Sequence, residues 1–367
     1  MKNIVIINAG SFIYGAERGL INLIRVLDGR FNITVFLPDK GSLTDQLRSD
    51  FPAVKIEIFP FPILMLSYSP LYYLSFFISL ILSIIYLTFY AIYNRVDIIC
   101  TNSLLLIFPG IVAKLTKKKH IWHIREFFFF GLINKILGIL VRKLSDTIIC
   151  QSKSIKEKLN LSDKAKVIYE PLCSDDYKIY DPILLKKEFN LPLDSKIITV
   201  ISRIHPLKGQ YEFLRDFQPI LRKSNKLFLL IVGDISPPTF RNRLYKRKIF
   251  NFINKNNLEN VLLLGFRRNI DKILSLSDVC VFPFLREEPF GIAVAESLAF
   301  GNTTFFPQKG GLKEVFDIFK AGNEYDLAKI KEKISQVNLR ATEKKQFNVP
   351  QSLSFHNYED KIAFLYL

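Results

Sequence analysis

Cysteine, histidine, tryptophan and acid are all scarce in this chain of 367 residues, which has four Cys, four His and one Trp. Cys100, Cys150, Cys173 and Cys280 lie far apart with no C-x-x-C pair, which excludes a disulfide scaffold and a zinc knuckle. Three of them close apolar runs, the setting of buried, reduced thiols. The His are too scattered for a metal cluster. No G-x-x-x-x-G-K-[ST] occurs, so P-loop nucleotide hydrolysis is excluded. The first turn, Gly10 to Gly15, does not match G-x-G-x-x-G, and a dinucleotide cofactor has no support. Asp-x-Asp, the usual carboxylate clamp on a metal-bridged diphosphate, is absent as well. Neither a metal nor a cofactor is expected.

Acid is outnumbered, with 34 Asp and Glu against 51 Lys and Arg, a formal net charge of +17. Such an excess attracts nucleic acid, lipid headgroups or phosphorylated substrates. No nucleic-acid recognition module is present, so nucleic acid is not an expected partner. Met1-Lys2-Asn3 leads into only four apolar residues, Ile4 to Ile7, with no small-residue cleavage site after them. The chain is therefore expected to stay in the cytoplasm, at the inner face of the membrane.

Apolar residues are plentiful, at 49% with 33 Phe, and the length suits two domains. Short β-branched runs (Val5 to Ile7, Ile33 to Leu37, Ile98 to Cys100, Ile121 to His123, Thr147 to Cys150, Val167 to Tyr169) alternate with helical patterns. That alternation implies a parallel sheet covered on both faces. A second series follows at Ile197 to Ile201, Leu227 to Val232, Val261 to Leu264 and Val279 to Pro283. The join is polar and holds Pro171 and Pro182. The fold class expected is α/β, two Rossmann-like doubly wound domains facing across a cleft. Their bounds are 1–175 and 176–350, with a helical segment over 351–367.

Residues 71–93 carry no charge. As a helix they would reach about 35 Å, enough to cross a bilayer core of roughly 30 Å. Crossing would separate the first strands of the sheet from the strands they must pair with, leaving backbone groups unpaired. The expectation is instead a helix with one face, marked by Ser75, Ser79 and Ser83, docked on the sheet and the other in the membrane interface. Lys117-Lys118-Lys119, Phe127 to Phe130 and Arg142-Lys143 add bases and aromatics suited to an anionic leaflet.

Two motifs carry chemistry. Ser202-Arg203-Ile204-His205-Pro206-Leu207-Lys208-Gly209 follows a strand and precedes a helix, the end of an open α/β sheet where ligands bind. An Arg fork and a Lys point charge suit two adjacent phosphates. Glu287-Glu288-Pro289-Phe290-Gly291-Ile292 opens a helix that carries Glu296 two turns on. Its first amides can hold phosphate or sugar oxygens, and its carboxylates can accept from vicinal hydroxyls.

Arg203 with Lys208-Gly209, then Glu288-Pro-Phe-Gly, Glu296 and Gly301, resembles glycosyltransferase family 4, the retaining nucleotide-sugar enzymes with the GT-B fold. Gly15-Ala16-Glu17-Arg18 is similar to that family's Gly-Gly-Ala-Glu-Arg start, with Tyr14 in place of the first Gly. Trp122-His123-Ile124-Arg125-Glu126 is similar to a stretch of bacterial polysaccharide members, and Phe355 to Tyr366 resembles the helix that returns to the N-terminal domain.

The resemblance implies a set of roles. Arg203 and Lys208 would hold the donor diphosphate as it leaves. Glu296 would bind the nucleotide ribose. Glu288, with the amides at Phe290, Gly291 and Ile292, would hold the transferred sugar. Gly15 would bring its loop to the reacting centre, and His123, at a strand end, would contact the donor sugar. It further implies transfer from a nucleotide-sugar donor to a polyprenyl-diphosphate-linked saccharide in O-antigen, capsule or related polysaccharide assembly. The family's Pro and β-branched strand after Gly301 is replaced by Asn302-Thr303-Thr304-Phe305-Phe306, and Asp317 to Tyr325 reads as a shortened loop. These departures motivate the alternative of a non-catalytic, membrane-associated binding subunit with the same fold.

Overall fold

The computed structural model describes residues 1–13, 15–64, 69–128, 130–161, 164–236, 239–336 and 346–367. Tyr14 and Phe129, both singled out above, lie outside the described residues. The chain forms two compact units, Met1–Pro171 with Phe355–Leu367, and Leu172–Ser354.

The first unit runs β1 (Lys2–Ile7), α1 (Gly15–Leu27), β2 (Phe31–Leu37), α2 (Ser42–Asp50), β3 (Lys55–Ile58), α3 (Pro70–Tyr93) and β4 (Ile98–Thr101). It continues α4 (Phe108–Thr116), β5 (Lys119–Ile124), α5 (Gly131–Leu144), β6 (Thr147–Cys150), α6 (Lys153–Lys158) and β7 (Ala165–Val167). The strands are parallel in the order β3-β2-β1-β4-β5-β6-β7. Ile4 pairs with Ile33 on one side and Ile98 on the other, which puts β1 inside the sheet with a neighbour on each side. Burial on both faces is why these strands read as unbroken Val/Ile runs.

The second unit runs α7 (Pro182–Glu188), β8 (Lys196–Ile201), α8 (Gln210–Leu221), β9 (Leu227–Val232), α9 (Phe240–Lys255), β10 (Val261–Gly265), α10 (Ile270–Leu276) and β11 (Val279–Val281). Then come α11 (Ile292–Ala299), β12 (Thr303–Phe306), α12 (Gly311–Phe319), β13 (Asn323–Glu324) and α13 (Leu327–Gln336). Its parallel sheet has the order β10-β9-β8-β11-β12-β13. The last helix, α14 (Phe355–Tyr366), packs in the first unit, where Tyr358, Ile362 and Tyr366 share a core with Leu20, Ile24 and Val35.

Chain order reverses between β1 and β4 in one sheet and between β8 and β11 in the other. Such reversals open a crevice at the carboxyl ends of the two diverging strands. Every candidate residue of the second unit follows β8 or β11.

Some expectations shift. The strand sought at Val167 to Tyr169 is Ala165–Val167, and β11 stops at Val281, before Pro283, which has no N–H to give a neighbour. The altered segment after Gly301 is a strand all the same: Thr303 to Phe305 pair with β11, since Thr and Phe both favour pleated, half-buried positions. Within the segment read as a shortened loop, Asn323 and Glu324 add an edge strand to β12. All four cysteines are free and buried. Burial pushes the Cys100 and Cys150 thiols up to about 12, so they stay protonated and inert.

Helix α3 differs from its sequence reading in detail. Its docked stripe is Ser83, Leu87 and Ala91. Ser75, expected on that stripe, is exposed and turns its hydroxyl back to the Tyr72 carbonyl, 2.9 Å away. Small Ala91 and Ser83 allow close seating against Val5, Ile7 and Phe36, while larger side chains occupy the other faces.

Candidate functional site

Lys208 and Glu288, 80 residues apart in sequence, meet as an ion pair of 2.7 Å between Nζ and Oε2. The cause is local. β8 leads into a single 3-10 turn, Pro206–Lys208, capped by His205, whose Nδ1 accepts from the Leu207 amide at 3.1 Å. Gly209 then takes φ +70°, and a Cβ there would lie 2.0 Å from the Pro283 carbonyl oxygen. Only glycine lets the loop after β8 press so closely on the segment after β11. The Leu285 amide donates to the Leu207 carbonyl at 3.0 Å and fixes that contact. Buried Gln210 pins the turn by donating to Ser202 Oγ and to the Arg203 carbonyl.

Arg203 is exposed and donates to the Ser236 carbonyl at 3.1 Å. Burial depresses the Lys208 pKa, Glu288 draws it back up and the Arg203 charge lowers it again. His205 is pushed down to about 4 by burial and by Arg203, Lys208 and Arg241, so it is neutral at pH 7. The ammonium also lies 4.4 Å from the centre of the Phe284 ring, a favourable seat for a cation. Lys208 and Glu288 thus form an ion pair at the β8/β11 switch point, and Arg203 lies close enough for its charge to be felt at Lys208.

The loop that carries Glu288 is anchored by its carbonyl, which accepts from the Gly311 amide at 2.9 Å. Phe290 is buried and serves as the loop's apolar anchor. Gly291, at φ +91°, is the N-cap of α11. The Ile292 and Ala293 amides have no acceptor within the helix, the Val294 amide being the first to donate to the Gly291 carbonyl, at 3.0 Å, and this end suits an anion. Glu296 lies inside α11, buried, and accepts from the Tyr177 hydroxyl at 2.6 Å. Tyr177 in turn stacks on Phe347, with ring centres 4.7 Å apart. Glu296 is therefore held by an aromatic partner rather than by Lys208.

In the first unit the structure corrects one reading. His123, expected at a strand end in contact with the donor sugar, is buried, with Nε2 2.8 Å from the Tyr366 hydroxyl of α14. Tyr366 also meets Cys100 Sγ at 3.0 Å. Burial, then the Arg125 charge, holds the His123 pKa well below its usual value. Gly15 is the exposed first residue of α1.

Sequence reasoning passed over a polar network at the carboxyl ends of the first sheet. Asn8 follows β1 and accepts from Asn102, after β4, at 2.6 Å. Asn102 accepts from Arg125 Nε at 2.9 Å, and Arg125 Nη1 pairs with Glu170, whose other oxygen accepts from Asn22 at 2.9 Å. The pair's side chains are only 5% and 3% exposed. Burial alone would lower the Arg125 pKa, and Glu170 more than offsets it. Glu126 beside it accepts from Ser103 and from the Leu104 amide. The available signal was an Arg-Glu pair closing the apolar run Ile121 to Ile124, since charge at the end of a buried strand needs a partner. Tyr177, on a polar connecting segment, left no such signal. Among the described residues, no three His, Cys, Asp or Glu gather as a metal site.

Comparisons with known proteins bear on the family and the fold. Residues 183–346 match the model of glycosyl transferases group 1, and residues 13–172 match glycosyltransferase family 4. An uncharacterized glycosyltransferase of Methanocaldococcus jannaschii is 33% identical over 210 residues, 54% of this chain and 52% of that protein. The lipopolysaccharide 1,2-N-acetylglucosaminetransferase of Salmonella typhimurium is 21% identical over 40% of this chain and 39% of its own. The chain thus spans about half or less of the length of these curated relatives. Among solved structures, Anabaena HepE in complex with UDP and glucose superposes with a TM-score of 0.79 at 18% identity, covering 100% of this chain and 99% of that one. The architecture is the GT-B fold. The two matched models, which between them take in most of the sequence, place the chain in glycosyltransferase family 4.

Proposed function

We propose that the protein is a retaining, metal-independent glycosyltransferase that moves a sugar from a nucleotide-diphosphate donor to a lipid-linked saccharide in surface polysaccharide assembly. The observation that carries this reading is the ion pair of Lys208 with Glu288, on the loop before the amide end of α11, and the Arg203 charge felt at Lys208. The bond from the anomeric carbon to the diphosphate oxygen breaks, and the charge that develops on that oxygen is met by the Arg203 fork and the Lys208 ammonium. The acceptor hydroxyl attacks from the face the diphosphate leaves, and its proton passes to the departing phosphate. Glu288 and the first amides of α11 hold the transferred sugar, and Glu296 accepts from the ribose hydroxyls in place of Tyr177. Two fixed cations supply the neutralisation a metal would otherwise give.

The donor class is supported by HepE, solved with UDP and glucose, and the polysaccharide setting by the lipopolysaccharide relative. A polyprenyl-diphosphate-linked acceptor places the enzyme at the inner face of the cytoplasmic membrane, which suits the apolar outer face of α3. The test is incubation of the purified protein with a panel of nucleotide sugars, following release of the nucleoside diphosphate. Release from one donor, lost in Arg203→Ala, is expected. Silence across the panel, together with no nucleoside diphosphate binding, would leave the non-catalytic subunit as the better account.

A further inference from the structure

Helix α3 is 24 residues long with a mean hydropathy of 2.1 over its most apolar window, of which 22% is buried. Leu74, Phe77, Ile78, Ile81, Leu82 and Phe89 are each more than half exposed. Isolated surface apolar side chains are ordinary, but a contiguous face of this size marks an interaction surface. The helix cannot be threading a bilayer. Ser83, Leu87 and Ala91 are sunk in the core with Val5 and Ile99, Tyr72 donates to the Ile63 carbonyl at 2.9 Å, and Tyr90 donates to Thr34 Oγ1 at 3.4 Å. Strands on either side of it in sequence, β3 and β4, belong to one sheet. The helix therefore lies along the unit with its apolar side outward.

The same layer carries charge. α4 packs between α3 and α5. On α5, Leu132, Ile136 and Ile139 are exposed, with exposed Lys135 and Lys143 on the same stripe at i, i+3, i+4, i+7 and i+11. At the end of α4, Leu115 is 63% exposed, and Lys117, also exposed, takes a left-handed φ of +54° as the C-cap. Lys117, Lys135 and Lys143 make no ion pair among the described residues, and α3, α4 and α5 contain no acidic residue. Apolar ridges bordered by unpaired bases match an anionic bilayer surface, whose headgroups meet the lysines while the ridges enter the acyl boundary.

We infer that the outer side of the α3–α4–α5 layer is a monotopic docking face for an anionic phospholipid leaflet, with α3 lying in the plane of the interface and α5 as a second, charge-selective contact. This rests on the membrane-face reading given above and deepens it. It assigns insertion to α3 and lipid selectivity to Lys117, Lys135 and Lys143.

The experiment is sedimentation of the full-length protein with vesicles of phosphatidylcholine alone or with about a third phosphatidylglycerol. Wild type should bind both, several-fold tighter with phosphatidylglycerol, and added salt should remove only that gain. The variant Lys117→Gln/Lys135→Gln/Lys143→Gln should bind both vesicles alike. Phe77→Ser/Ile81→Ser/Phe89→Ser should lose binding to both by at least tenfold while keeping the wild-type melting temperature and nucleoside diphosphate affinity. Unchanged vesicle binding in that variant would overturn the proposal. So would wild type that stays in the supernatant, or a dimer formed through α3 that blocks lipid binding. Alkaline carbonate should strip the protein from vesicles, and resistance would refute the in-plane arrangement. Because binding needs no turnover, an inactive protein that docks would fault the enzymatic reading alone.

Discussion

Lys208→Met and Glu288→Gln disturb the same 2.7 Å contact from its two sides, and they should move ligand binding in opposite directions. Lys208 is the cation placed to meet a diphosphate, and a hydrogen bond to a charged group contributes about 1.5–3 kcal/mol. Its loss should weaken nucleoside diphosphate binding roughly 10- to 150-fold. Glu288 competes for that cation in the free protein. The two side chains are 13% and 18% exposed, so the pair is only partly shielded and its net strength is about 1 kcal/mol. Glu288→Gln removes the competing charge, and nucleoside diphosphate should bind roughly fivefold tighter. Turnover should fall nonetheless, because Glu288 is assigned to the transferred sugar. Calorimetry with nucleoside diphosphate reads the first effect, and kcat with the nucleotide sugar reads the second. Equal weakening in both variants would refute the idea that Glu288 holds Lys208 in place of a ligand.

Three further outcomes follow from the packing. Gly209→Ala should cost about 1–3 kcal/mol more in urea unfolding than Gly301→Ala, because both glycines have φ +70° but only the first would set a Cβ 2.0 Å from a carbonyl oxygen. Arg125→Met should destabilise by about 3–5 kcal/mol by stranding buried Glu170, and adding Glu170→Met should recover most of that loss. His120 is fully buried, with Nδ1–H donating to the Leu144 carbonyl and Nε2 accepting from Thr101 Oγ1, each at 2.8 Å. Burial pushes it down to about 4 from 6.5. Protons then favour the unfolded chain, so its contribution is intact above pH 6.5 and fades as pH falls toward 4, by about 3 kcal/mol. Urea midpoints measured between pH 7 and 4.5 check this, and His120→Asn should reduce the slope, leaving the share that His123 and His205 contribute in the same direction.

The strands were legible because burial on both faces writes them as runs such as Ile4-Val5-Ile6-Ile7, which no helix period explains. β3 and β13 were not, since edge strands with one polar side carry little pattern: Lys55 to Ile58 alternates over only four residues. Arg203, Lys208 and Glu288 could be picked out because Pro and Gly around them announce a turn and a helix start. The partner of Glu296 could not. Tyr177 comes from a segment 119 residues away, and a hydroxyl-to-carboxylate contact leaves no spacing in the sequence. His123 was misplaced for a related reason. A His at a strand end reads alike whether it faces solvent or core, and the difference here is Tyr366, supplied by the far end of the chain.

The most direct test maps where a nucleoside diphosphate lands. Hydrogen–deuterium exchange of the full chain, with and without saturating ligand, should show protection over residues 203–209 and 287–293 and little change at the Arg125–Glu170 network. Protection confined to other segments, or none at a ligand concentration that calorimetry shows to be saturating, would contradict the account.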